Sequence, residues 1–151
     1  MNIRKPTRAD LPDIRQILAD TELFPIDMLE GMIEPCFSDP ECDEKWLVLD
    51  PGDGAIGFAY CRPEPLTDGV WNLLAIGLRT AHQGRGFGTQ LVRAVEENLV
   101  GGRILIVETS GLEAFMATRA FYAKLGYDLE ATIRDYWADG DDKVIFRKLL
   151  G

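Results

Sequence analysis

The segment from Trp71 to Leu99, WNLLAIGLRTAHQGRGFGTQLVRAVEENL, constrains the fold of this chain more than any other stretch. It opens as an apolar run of strand length, passes through a polar turn and reaches QGRGFG at Gln83–Gly88. Beyond the turn, Leu91, Val92, Val95 and Leu99 recur at helical spacing, leaving Arg93, Glu96 and Glu97 for solvent. Strand, glycine-rich turn and helix therefore follow one another without a gap. Glycines at 84, 86 and 88 let the backbone turn with its N–H groups towards one point, where the helix N-terminus adds partial positive charge. Such a turn is an anion site, most naturally for a pyrophosphate. Arg85 inside it and Arg79 just before it offer full positive charges.

The flanking sequence alternates between strand and helix periods. Asn2–Lys5 reads as an opening strand, followed by a turn at Pro6 and Thr7. Asp10 as N-cap, Pro12 in the first turn and the stripe Ile14, Ile17 and Leu18 predict a helix ending near Thr21. A second helix is expected from Pro25 or Ile26, carrying Met28, Leu29, Met32 and Ile33 and stopping before Pro35. The link Glu22-Leu23-Phe24 reads first as packing, with pocket lining as the alternative. Cys36–Lys45 is acidic and turn-rich. Trp46–Leu49 and Ala55–Cys61 form a hairpin across Asp50–Gly54, and with the Trp71 strand they make a three-stranded antiparallel meander.

Gly101 and Gly102 stop the long helix, and Arg103–Val107 is the continuous apolar run of a buried central strand. A helical crossover from the Trp71 strand should make the two parallel and put the glycine loop at a strand's carboxyl end, where open α/β sheets bind ligands. A last helix over about Phe115–Leu125 presents Ala117, Ala120, Phe121 and Leu125 on one face, with Tyr122 beside it and Gly126 as its stop. Leu129–Trp137 and Lys143–Leu149 close the chain as a hairpin around Asp139-Gly140. A length of 151 residues, 46% of them hydrophobic, suits a single domain spanning 1–151.

Charge and cysteine usage narrow the partners. A net charge of -9 and a pI near 4.6 argue against nucleic acid, which needs a basic face, and favour small cationic or amine ligands. No apolar run approaches the roughly 20 residues of a membrane helix, and MNIRKPTRAD has no apolar signal core, so no membrane association and a cytoplasmic location are expected. Cys36, Cys42 and Cys61 are too few, and odd in number, for a disulfide framework. With His82 the only histidine and no CxxC pair, no metal is expected.

Two motifs together carry a family resemblance. Gln83, Gly86 and Gly88 match Q/R-x-x-G-x-G/A at the start of a helix, and Tyr122-Ala-Lys124-Leu-Gly126-Tyr127 matches a helix-ending Y-x-K-x-G-F/Y. The chain thereby resembles the GCN5-related N-acetyltransferase (GNAT) superfamily over essentially its whole length. The resemblance implies an α/β fold of mixed α+β character, a central mixed sheet of six to seven strands flanked by about four helices. It implies acetyl-CoA as cosubstrate, no metal, and direct acetyl transfer to a primary amine of a small molecule, an amino-acid-like compound or a peptide. A homodimer is compatible with it.

By the same resemblance, the loop residues Gln83, Gly84, Arg85, Gly86, Phe87, Gly88 and Thr89 hold the pyrophosphate, and the Trp71 strand splays from the Arg103 strand so that backbone at Ile76 and Leu78 pairs with pantetheine. Gly77 fits independently, since a lone glycine in a strand marks a bulge or a close approach of another chain; tolerance for packing is the alternative.

The chemistry needs a proton acceptor. An alkylamine with a pKa near ~10.4 is neutral in about one part in a few thousand at pH 7, a handicap of roughly 4 to 5 kcal/mol. Some relatives use a glutamate where this chain has Asn72, which can orient an amine or a water but cannot act as a base. Glu108, at the end of the Arg103 strand, is the carboxylate left; its alternative is a solvated strand end. Tyr122 matches the tyrosine that serves the departing thiolate in many relatives, with a core tyrosine as the alternative. Phe115 stands where many relatives carry a CoA-contacting asparagine.

The acceptor pocket of relatives corresponds to Thr21–Pro25 and Tyr136–Asp142. Tyr136 and Trp137 are candidate walls or sheet packing. Asp135, Asp139, Asp141 and Asp142 suit a cationic amine or a merely solvated turn. A catalytically idle acyl-CoA binding module is the second reading, encouraged by Asn72 and Phe115. A Rossmann dinucleotide site fails on spacing, because Thr89 and Leu91 stand where its third glycine is required.

Overall fold

The two periods resolve into strands and helices in the computed structural model, which describes residues 2–151. In chain order the elements are β1 (Asn2–Arg4), α1 (Leu11–Thr21), α2 (Leu29–Ser38), β2 (Lys45–Asp50), β3 (Gly57–Pro63), β4 (Val70–Leu78), α3 (Phe87–Asn98), β5 (Ile104–Ser110), α4 (Met116–Lys124), β6 (Asp128–Ala138) and β7 (Asp141–Leu149). The seven strands lie in the order β1-β2-β3-β4-β5-β7-β6. β4 and β5 are parallel, whereas β1–β2, β2–β3, β5–β7 and β6–β7 are antiparallel. This is the mixed sheet with four helices that the resemblance implied. Among the described residues no helix is long and apolar enough to cross a membrane.

The chain divides into two compact units. One comprises the chain up to Arg62 together with Leu74–Val100; the other comprises Pro63–Leu73 and Gly101–Gly151.

In the first unit, Ile14, Ile17 and Leu18 of α1 and Leu29 and Ile33 of α2 pack on Trp46, Val48, Phe58, Tyr60 and Ala75 of the strands. The Trp46 ring stacks on Tyr60 at 4.3 Å and on Phe58 at 5.8 Å. Phe24 joins this core edge-on to Phe58, while Leu23 stays half-exposed, so the α1–α2 link is part packing and part surface.

One expectation about these helices is corrected and another is refined. Pro35 lies inside α2, which continues to Ser38. A proline there forfeits one backbone bond, at a cost of ~3 kcal/mol. Cys36 and Phe37 pack against the same core as Ile33 and Met32, and that burial carries the helix past the proline. Asp10 occupies the N-cap position of α1 as expected, but its side chain makes no capping bond there. Its carboxylate instead accepts two bonds from Arg4, at 2.8 and 2.9 Å, and one from the Thr7 amide at 2.7 Å, closing the preceding 3-10 turn.

In the second unit, β5 lies between β4 and β7 in the sheet order. The β4–β5 register pairs Val70–Leu73 with Ile104–Val107, whereas β5 stays paired to β7 as far as Ser110 opposite Lys143. The face of α4 differs from expectation. Ala117 and Ala120 are exposed, and Tyr122 is its buried residue, with Leu125 and Tyr127 buried just beyond. Arg119 explains the rotation: its guanidinium donates to the carbonyls of Ser110 and Leu112, at 2.7 and 2.8 Å, so a polar side chain occupies part of the inner face.

Candidate active site

The glycine loop forms as its composition requires. Gly84 and Gly86 have φ of 76° and 85°, left-handed conformations that other residues adopt only at a cost, and Gly86 is the N-cap of α3. A side chain would meet nothing within 4 Å at either position, so backbone conformation and not crowding selects glycine. Among the described residues the amides of 84–89 have no acceptor; the first bond into the helix runs from the Gln90 amide to the Gly86 carbonyl, at 3.2 Å. Gln83 ties the loop to its strand, its Nε2 donating to the Leu78 carbonyl at 3.2 Å. Open amides at a helix N-terminus, with no carboxylate bonded to them, fit a diphosphate.

Arg79 is committed elsewhere. Its Nε donates to Asp20 at 2.7 Å, and the Arg79 guanidinium holds the Asp20 carboxyl below the usual carboxylate range. Arg85 is the exposed cation of the loop. Ile76, Gly77 and Leu78 form the last turn of pleat in β4. A Cβ on Gly77 would lie 2.8 Å from Leu23 Cδ1 and 3.2 Å from Thr21 Cγ2, so the close approach of the α1 end is one sufficient reason for this glycine.

Asn72 and Glu108 come together in the second unit. Asn72 is only 2% exposed, and its Nδ2 donates to Glu108 Oε1 at 2.6 Å and to Glu64 Oε1 at 2.9 Å. Carboxylates only accept, so the amide must present its nitrogen to both. Its Oδ1 is buried and unpartnered among the described residues. Glu108 Oε2 forms an ion pair with Lys143 Nζ, both side chains being largely buried. Glu64 and Lys143 carry no motif and are not found by reading the sequence. The one available signal is the β-strand register, which sets Lys143 opposite Ser110, two residues beyond Glu108 on the same strand.

Lys143 is seated on aromatic faces, with its Nζ 4.1 Å from the Tyr136 ring centroid and 5.8 Å from that of Trp137. A break in the β6–β7 register between Ile133 and Ala138 accompanies this arrangement, with Asp135 at φ 55°. Burial draws the Lys143 ammonium below its ordinary range, and Glu64 acts in the opposite direction. The acidic hairpin is largely self-bonded. Asp141 accepts from Ser110 Oγ at 2.5 Å, Asp142 from the Asp135 amide at 3.0 Å, and Asp135 from the Gly140 amide at 2.9 Å.

Tyr122 is 3% exposed on α4, within an aromatic group whose ring centroids lie 5.1 Å (Phe121), 5.7 Å (Tyr127) and 5.9 Å (Phe146) away. Burial pushes its phenol well above the usual range, so it stays protonated at every physiological pH. Phe115 is exposed at the start of α4. On the first unit, a groove of about 470 Å³ is lined by Leu18, Ala19 and Glu22–Ile26. Among the described residues no group of three or more His, Cys, Asp or Glu side chains is arranged to hold a metal.

A mixed sheet with one parallel pair and a glycine loop opening its central helix are features of an acetyltransferase fold. The chain belongs to the acetyltransferase (GNAT) family, whose model matches residues 11–127. A structure from Desulfovibrio desulfuricans, assigned to the same family, is 27% identical, covers 99% of each chain and superposes with a TM-score of 0.91. The ribosomal-protein-S18-alanine N-acetyltransferase of Escherichia coli shares the fold at 19% identity, covering 99% of this chain and 94% of its own, with a TM-score of 0.80. A Salmonella typhimurium protein, solved with its cofactor acetyl-CoA, shares the fold at 16% identity over 99% of this chain and 94% of its own, with a TM-score of 0.78. No curated protein matches the sequence.

Proposed function

We propose that this protein transfers the acetyl group of acetyl-CoA to a primary amine of a small molecule, an amino-acid-like compound or a peptide, with Glu108 as proton acceptor and Tyr122 as donor to the leaving thiolate. The observation that carries the reading is the Asn72–Glu108 hydrogen bond, which fixes a carboxylate on β5 although the position used by some relatives on β4 holds an amide. The acetyltransferase family and the open amides of residues 84–89 support the choice of donor.

Acetyl-CoA, when bound, supplies an acyl group on a thioester. The amides of 84–89 and Arg85 would hold its diphosphate, and backbone at Ile76, Gly77 and Leu78 would align the pantetheine arm. The acceptor ammonium gives one proton to Glu108, the neutral amine forms the N–C bond as the C–S bond breaks, its second proton passes to solvent, and the departing thiolate accepts a hydrogen bond from Tyr122. Transfer from a phenol near pKa ~10 to a thiolate near ~8.5 already costs about 2 kcal/mol, and burial of Tyr122 raises that cost. Stabilisation by hydrogen bonding therefore contributes more than complete transfer. Asn72, with its amide nitrogen donating to Glu64 and Glu108, orients Glu108.

The test is free thiol released from acetyl-CoA in the presence of amines, polyamines, amino acids and peptide N-termini. Amine-dependent thiol release is expected for at least one class. Acetyl-CoA binding with no thiol release across the panel would leave a binding module.

A further inference from the structure

Glu108 is the proposed base, and its ionisation depends on what surrounds it. One amide, Asn72 Nδ2, bridges Glu108 and Glu64 at 2.6 and 2.9 Å. Two carboxylates drawn to a single donor repel each other, and a nearby cation offsets that repulsion. The cation present is Lys143, which reaches Glu108 Oε2 from β7. Of the other charged groups on the flanking strands, Asp141 accepts from Ser110 and Asp142 from the Asp135 amide, while Arg147 lies on the same face of β7, opposite Ile106 and one same-face pair away from Glu108. On β6, Arg134 and Asp135 are exposed, and Ile145, opposite Glu108 on β7, is uncharged.

The seat of Lys143 is built. The register break in β6 accompanies the placing of the Tyr136 ring face 4.1 Å from its ammonium, and Trp137 is anchored beside it by a bond from Nε1 to the Thr109 carbonyl at 3.3 Å. Aromatic faces stabilise a cation without adding a second negative charge to the pair. The lysine is thus held over Glu108 from one side while Asn72 holds the other oxygen.

The geometry points to Lys143 as a positioning residue that keeps Glu108 ionised against the charge of Glu64, with Tyr136 and Trp137 as its seat. This rests on the assignment of Glu108 as base, which names neither Lys143 nor Glu64. In a family that must deprotonate an ammonium, such a lysine sets the lower edge of the pH range in which the carboxylate can accept a proton.

Carbon-13 NMR titration of the Glu108 carboxylate tests this without any turnover, alongside the pH profile of kcat/KM on a responding amine. Lys143→Met is expected to raise the Glu108 midpoint by about one to two pH units, and Lys143→Arg to leave it nearly unchanged. Adding Glu64→Gln to Lys143→Met should bring the midpoint part of the way back, a reversal that a purely structural role does not produce. Where Lys143→Met fails to fold, Glu64→Gln alone should lower the midpoint. A midpoint unmoved by these substitutions overturns the assignment, whatever the turnover. A midpoint that moves while the acid limb of kcat/KM stays fixed supports the role of Lys143 and removes Glu108 as the base, so the two failures are told apart.

Discussion

Asn72 faces Ile106 in the parallel register of β4 and β5, yet its amide bonds to Glu108, two residues further along β5 and on the same face of the strand. Replacing it by leucine keeps the volume and removes both hydrogen bonds. Asn72→Leu should destabilise the protein by about 2–3 kcal/mol in urea at pH 7, because two carboxylates lose a buried donor. Glu64→Gln in the same background should recover part of the loss. Additive losses in the double variant would show that the two carboxylates do not share this donor.

Tyr122→Phe removes a hydroxyl and leaves the aromatic group with Phe121, Tyr127 and Phe146 in place. A role at the thiolate predicts a fall in kcat of about 100-fold, within the usual range for a positioned proton donor, with acetyl-CoA affinity by calorimetry changed less than about threefold. Unchanged turnover would return Tyr122 to the core.

Gly86→Ala places a side chain at φ 85°, where the left-handed conformation costs roughly 1–2 kcal/mol. Acetyl-CoA should raise the Tm of the wild type more than NAD does, since a ligand specific to the native state stabilises it. The variant should lose most of that shift. A larger shift with NAD than with acetyl-CoA would contradict the donor assignment.

Arg4, Asp10 and Asp50 give an acid-side prediction. The guanidinium of Arg4 holds the buried Asp10 carboxyl below its usual range, chiefly through their paired hydrogen bonds. A carboxyl with a depressed folded pKa contributes stability in full above its unfolded value of about 3.9 and loses it as pH falls through the lower folded value. Asp10→Asn should therefore have a lower Tm than wild type at pH 7, with the gap closing below about pH 4. A gap as wide at pH 2 as at pH 7 would assign the loss to packing.

Strand and helix periods, the parallel crossover and the glycine loop were legible in the sequence because each follows from local spacing. The continuation of α2 past Pro35 was not, because the packing of Cys36 and Phe37 is tertiary and overrides a local stop signal. The inner face of α4 was misassigned for a similar reason: Arg119 is held by carbonyls of Ser110 and Leu112, and hydrophobic periodicity does not register a half-buried cation bonded to backbone. Asn72, Glu108 and Tyr122 were marked as candidates by motif and strand position. Glu64 and Lys143 were hidden because they become neighbours of Asn72 and Glu108 only when β4, β5 and β7 align.

The break in β6 bears on how the protein behaves when concentrated. β6 is an edge strand exposed along all eleven residues, including Leu129, Ile133, Tyr136 and Trp137. A long, flat, apolar edge invites another chain to extend the ladder. Here the turn of the backbone at Asp135, bonded back to Asp142 and Gly140, interrupts the edge after Ile133. A neighbouring chain would therefore meet only short lengths of regular edge on either side of the irregularity beside the Lys143 seat.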